Sequence, residues 1–109
     1  MKVQLITFTG CQNADGAREL LRRCLSRAGL EPVFEEIDSL APGTPGPLRE
    51  WGSPTILLDG VDVQGETRPT GPGCRLYRDA SGYSSGAPSE SLLLEAIERA
   101  KRASGEGAI

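Results

Sequence analysis

The chain has 109 residues, 38% apolar and 25% charged, enough for one domain with a modest core that is mostly aliphatic because aromatic residues make up only 5%. A net charge of −3 without any basic run argues against nucleic acid or an anionic membrane as partner, and no apolar run approaches the length of a membrane span. Histidine is absent, which removes Cys-His and Ser-His nucleophilic pairs and imidazole metal ligation, so any chemistry must run on thiol, carboxylate, hydroxyl, amine or backbone groups.

Residues 2–8 read as a first strand carrying Val3, Leu5, Ile6 and Phe8. The first eight residues hold one lysine and too short an apolar stretch for a signal peptide, so a cytoplasmic setting with reduced cysteines is the expectation. The chain then turns at Gly10 into the clearest helix of the sequence. Ala14, Ala17, Leu20, Leu21, Cys24, Leu25 and Ala28 recur at intervals of three and four and form one apolar stripe. Asn13 is the expected N-cap, Gly29 the stop, and Glu19 with Arg23 an i,i+4 pair on the polar face.

Residues 32–38 predict a second strand with Val33 and Ile37 on one face, its glutamates marking a sheet edge. A Pro/Gly-rich segment follows, with room for one helical turn at 47–51. Residues 55–58 and 61–63 flank Asp59-Gly60, a strong two-residue hairpin signal. Residues 64–73 form a loop, and 74–78 with 83–85 predict a further small hairpin. Pro88 and Ser89 open the last helix, with Leu93, Ala96, Ile97, Ala100 and Ala103 inward; residues 105–109 are expected to be a mobile tail. The first crossover should make strands one and two parallel, and strands three and four should form an antiparallel hairpin on the same sheet.

Cys11 stands between the end of a strand and the start of a helix, where unpaired helix N–H groups favour a reactive thiolate. The competing reading is a small residue fitted to a tight turn. Of the nearby charges, Asp15 opposes ionisation and Arg18 favours it. Cys24, inside the helix stripe, reads as core; thirteen residues of helix put it roughly 20 Å from Cys11, beyond the ~7 Å Cα separation of a disulfide. Cys74 follows a flexible loop and alternates with Leu76, so it reads either as core or as a partner thiol for Cys11. Arg75, Tyr77 and Arg78 would suit an anionic ligand or thiolate, or form a solvated face. Three cysteines without histidine fall short of a four-ligand zinc or iron–sulfur site, so no resident metal or other cofactor is expected, although two thiolates suffice for mercury or copper(I).

The element order, with Thr9-Gly10-Cys11-Gln12-Asn13-Ala14 at the first strand–helix turn and Gly52-Ser53-Pro54-Thr55 before the third strand, resembles the thioredoxin superfamily. The resemblance covers residues 2–63 and 88–103 within a single domain, 1–104, and leaves 64–87 as an insertion before the C-terminal helix. It implies an α/β, thioredoxin-like fold: a central mixed four-stranded sheet flanked by helices, with a cis peptide before Pro54. By the same resemblance Cys11 would be the attacking thiol, with Gly10, Gln12, Asn13, Ser53, Pro54 and Thr55 shaping the substrate surface. A looser similarity, carried by Gly52-Ser53-Pro54-Thr55, Asp59-Gly60, Cys74-Arg75-Leu76-Tyr77 and Ser85-Gly86-Ala87-Pro88, is to small thioredoxin-like proteins grouped with mercury resistance.

The family's C-x-x-C motif is C-x-x-A here, because Ala14 replaces the second cysteine. A resolving thiol must then lie elsewhere in the chain, as Cys74 would, come from an external thiol or a partner, or be absent. Two expectations follow. One is a thiol-disulfide oxidoreductase acting on a thiol or disulfide substrate through Cys11, with Cys74 as second catalytic thiol. The other is a non-catalytic module that docks a protein partner through the proline loop and Trp51, or a binder of soft metal through thiolates.

Overall fold

The computed structural model describes residues 1–79 and 81–104; the mobile tail expected at 105–109 lies outside the described residues. The elements run β1 (Val3–Thr7), α1 (Ala14–Arg27), β2 (Glu35–Asp38), α2 (Gly46–Arg49), β3 (Thr55–Leu58), β4 (Val61–Asp62), β5 (Tyr77–Arg78), β6 (Ser84–Ser85) and α3 (Glu90–Ser104). The first four strands form one mixed sheet in the order β2-β1-β3-β4, and β5 and β6 form a separate hairpin. β1 and β2 are parallel, as their helical crossover requires, while β1–β3 and β3–β4 are antiparallel.

Alternation along β1 divides the interior in two. Val3 and Leu5 face the main core, built with the α1 stripe (Ala17, Leu20, Leu21, Cys24, Leu25), with Ile56 and Leu58 of β3, and with Leu93, Ala96 and Ile97 of α3. Ile6 faces the other side, where Trp51 and Leu57 cover it together with Ile37 and Leu48. Both helices therefore pack on one face, and the segment around α2 closes the other.

Local chemistry accounts for the boundaries. Asp59 and Gly60 both take positive φ, the conformation the two-residue hairpin turn needs. Ser89 caps α3 by accepting the Leu92 N–H at 3.1 Å. Glu90, in the first turn of α3, pairs with Arg27 and Arg23 of α1. Lys101 donates to the Ala28 carbonyl beyond the end of α1 at 2.8 Å.

Several sequence expectations are corrected. Asn13 occupies the N-cap position without a side-chain cap bond; its amide instead packs against the backbone of Gly86. Glu19 pairs with Arg22 at 2.7 Å, one residue earlier than Arg23, because Arg23 is drawn to Glu90 on α3. Val33 lies before β2 and is 71% exposed, so it does not share a buried face with Ile37. Ala103, expected inward, is exposed near the end of α3.

Candidate functional site

The register of β1 and β3 sets the geometry of one end of the sheet. Ile6 pairs with Thr55, so the exit of β1 lies beside the entry to β3. The turn carrying Gly10, Cys11, Gln12 and Asn13 leaves from that exit, and Ser53-Pro54 leads into that entry. The Ser53–Pro54 peptide is cis. Gly10 takes φ +94°, where a side chain would be strained, and the turn closes with Cys11 N–H donating to the Phe8 carbonyl at 3.1 Å. The Cys11 carbonyl accepts from Ala14 at 3.3 Å as α1 begins. Cys11 is half-buried and is a free thiol.

Cys74 reaches the same end from the insertion. It forms an isolated parallel bridge with Ser53, in which Ser53 N–H donates to Gly73 O at 2.8 Å and Arg75 N–H donates to Ser53 O at 2.9 Å. Gly73 has φ +103°, which lets the chain turn into the bridge. Cys74 itself is exposed and free. At its far end the insertion returns to the start of α1, where Gly86 abuts the Asn13 side chain. Residues 73–86 therefore span from the residue before Pro54 to the turn after Cys11.

The face that Cys74 turns away from holds a buried polar cluster. Arg75 reaches Asp62 with both terminal nitrogens, each at 2.7 Å, and Nη1 also donates to Thr55 Oγ1 at 3.0 Å. The ion pair is shut away from water, its side chains 2% and 0% exposed. The guanidinium lies 4.5 Å from the Tyr77 ring centroid and 5.6 Å from that of Trp51. Burial pulls Arg75 toward the neutral form, but its hydrogen bonds to Asp62 and the surrounding charge raise its pKa on balance. Tyr77 Oη donates to the Pro54 carbonyl at 2.6 Å, and burial raises its pKa strongly. Among the described residues, Ser53 Oγ and Arg75 Nε are buried with no hydrogen-bond partner.

This cluster inverts the alternation expected at 74–77. Cys74 and Leu76 point outward, Leu76 being 66% exposed, while Arg75 and Tyr77 are buried. Cys74 is thus not core, and Arg75 and Tyr77 are neither a solvated face nor free to meet an anion. The physical reason is Asp62: a carboxylate on β4 facing inward needs a cation, and a one-residue shift delivers one. Trp51, expected on a docking surface, is buried against Ile6 and Leu57 beneath Arg75. The signal for these interior roles was weak, since an Arg–Asp pair thirteen residues apart has no local spacing rule.

Cys24 is fully buried in the main core, and burial raises its thiol pKa. Arg18 is committed to Glu36 through two bonds of 2.7 Å and to Asp15 at 2.5 Å, so its charge is balanced twice over near the Cys11 turn. Thr9, beside Gly10, donates to Asp38 at 3.3 Å. Among the described residues no group of three or more His, Cys, Asp and Glu gathers to hold a metal ion, and no helix is long and apolar enough to cross a membrane. Comparison with protein-family models, with curated proteins and with solved structures gives no match.

Proposed function

We propose that the chain is a thioredoxin-like thiol-disulfide oxidoreductase in which Cys11 attacks and Cys74 resolves. One observation carries the reading. The Ile6–Thr55 register and the Ser53–Cys74 bridge bring the Cys11 turn, the cis-proline loop and Cys74 to one end of the sheet. The parallel β1–β2 pair, the antiparallel β3–β4 hairpin and the cis Ser53–Pro54 peptide agree with what the resemblance implies for the fold.

The chemistry balances with two thiols. The Cys11 thiolate attacks a disulfide, forms a mixed disulfide and releases one substrate thiolate. The Cys74 thiolate then attacks Cys11 Sγ and releases the second, leaving an intramolecular disulfide; the two protons lost by the cysteines go to the departing thiolates. A low-molecular-weight thiol would return the protein to its reduced state by the reverse exchange. Cys24, buried in the main core, takes no part.

The competing docking module loses one of its supports, because Trp51 is buried. The deciding experiment is reduction of bis(2-hydroxyethyl) disulfide by wild type, Cys11→Ser and Cys74→Ser. Cys11→Ser should be inactive, and Cys74→Ser should stop at a mixed disulfide on Cys11, visible as a mass increase. Undiminished reduction by Cys11→Ser would remove the proposal.

A further inference from the structure

We infer that the substrate is a small disulfide and not one embedded in an extended polypeptide, an inference that rests on the oxidoreductase reading above. An extended peptide binds beside a strand by pairing with unsatisfied N–H and C=O groups along its edge. At the entry to β3 that edge is already filled by the chain's own residues 70–75. Gly71 N–H donates to Glu50 O at 2.8 Å, and Gly52 N–H donates to Thr70 Oγ1 at 3.1 Å. Both main-chain groups of Ser53 are taken by Gly73 and Arg75.

The contact is also close in space. A Cβ on Gly52 would stand 3.0 Å from Arg75 Cβ and 3.2 Å from the carbonyl oxygens of Gly71 and Gly73, so nothing fits between the two segments. The strap is fixed at its end by the buried Arg75–Asp62 pair, which a displacing peptide would have to expose or break. What remains accessible is Cys74, exposed on the strap's outer side, and the half-buried Cys11. A substrate that presents little more than two sulfur atoms can reach these thiols with the strap in place. Reaction then follows the two exchanges written above, with the disulfide reduced to two thiols and the protein oxidised to a Cys11–Cys74 disulfide.

The test compares one disulfide in two settings: N-acetylcysteine disulfide, and the same bond joining two extended alanine-rich peptides. Reduced wild-type protein is mixed with each, and loss of protein thiols is followed under single-turnover conditions, with Cys11→Ser as the background. The small disulfide should react faster by about ten-fold or more, because residues 70–75 occupy the space beside Ser53 that an extended chain would need and a small disulfide does not. Amide hydrogen exchange at Ser53 and Arg75 should stay slow in excess peptide. Equal or faster reaction of the peptide disulfide, or loss of that protection when peptide is added, would overturn the substrate class and leave the oxidoreductase reading standing. Reaction of neither disulfide above the Cys11→Ser background would overturn both.

Discussion

Asp62→Asn should be among the most damaging single substitutions outside the hydrocarbon core. It keeps the shape of the side chain but leaves the Arg75 guanidinium charged, with its side chain 2% exposed, without the carboxylate it reaches through two bonds of 2.7 Å. Removing one partner of a buried pair costs about 3–5 kcal/mol, because the other charge is stranded. Whole domains of this size are stable by only about 5–15 kcal/mol. With a urea m-value of about 1.5 kcal/mol per molar, the unfolding midpoint should fall by roughly 2–3 M. Arg75→Met should cost a similar amount by stranding Asp62. The double variant Asp62→Leu/Arg75→Met should recover most of the loss, since Thr55 keeps its 2.6 Å bond to the Gly52 carbonyl and no charge stays buried. Urea unfolding of wild type, Asp62→Asn, Asp62→Leu, Arg75→Met and the double variant checks this, with Asp62→Leu and Arg75→Met as the two single arms of a double-mutant cycle. Single variants within about 1 kcal/mol of wild type, or a double variant as unstable as the sum of the singles, would refute the reasoning.

Further outcomes follow from the same geometry. Tyr77 has a raised pKa in the fold, so the unfolded chain loses its phenolic proton first; stability should be intact below about pH 10 and decline above it, by up to about 1.4 kcal/mol per pH unit. Tyr77→Phe should remove that part of the alkaline slope, which unfolding measured on either side of the ordinary tyrosine pKa of about 10 would show. Gly52→Ala should destabilise by about 1–3 kcal/mol, because two of its three close neighbours are backbone carbonyls that cannot rotate away, and should speed hydrogen exchange at Ser53 and Arg75. Cys24 should be alkylated slowly in the native protein and fast in urea, and Cys24→Ala should cost about 1–2 kcal/mol through a small cavity; rapid native labelling would contradict its burial.

The elements legible in advance were those with local signals. The period of the α1 stripe, the Asp59-Gly60 turn and the start of the last helix after Pro88 and Ser89 each depend on residues a few positions apart, and each appears as read. The glutamates of β2 marked an edge strand because one ladder of that strand faces no partner in the sheet. The insertion was less legible. Its strands have two residues each, too few for alternation to declare a face, and Cys74 and Leu76 outrank Arg75 in hydrophobicity. What decides the register is Asp62, a long-range partner on another strand, together with the ring faces of Tyr77 and Trp51. The Cys11 turn and Pro54 loop could be named from the chain, but the strap that joins Ser53 to Cys74 depends on backbone bonds that leave no mark on residue type.

The most direct test of a Cys11–Cys74 couple is peptide mapping after oxidation. Fully reduced wild-type protein is treated with a stoichiometric amount of N-acetylcysteine disulfide, free thiols are blocked, and the chain is digested without reductant. The Cys11 and Cys74 peptides should be recovered joined by an intramolecular disulfide, with Cys24 recovered as a blocked thiol. Recovery of Cys11 as a stable mixed disulfide with Cys74 still a thiol, or of Cys74 linked only between two molecules, would contradict the couple.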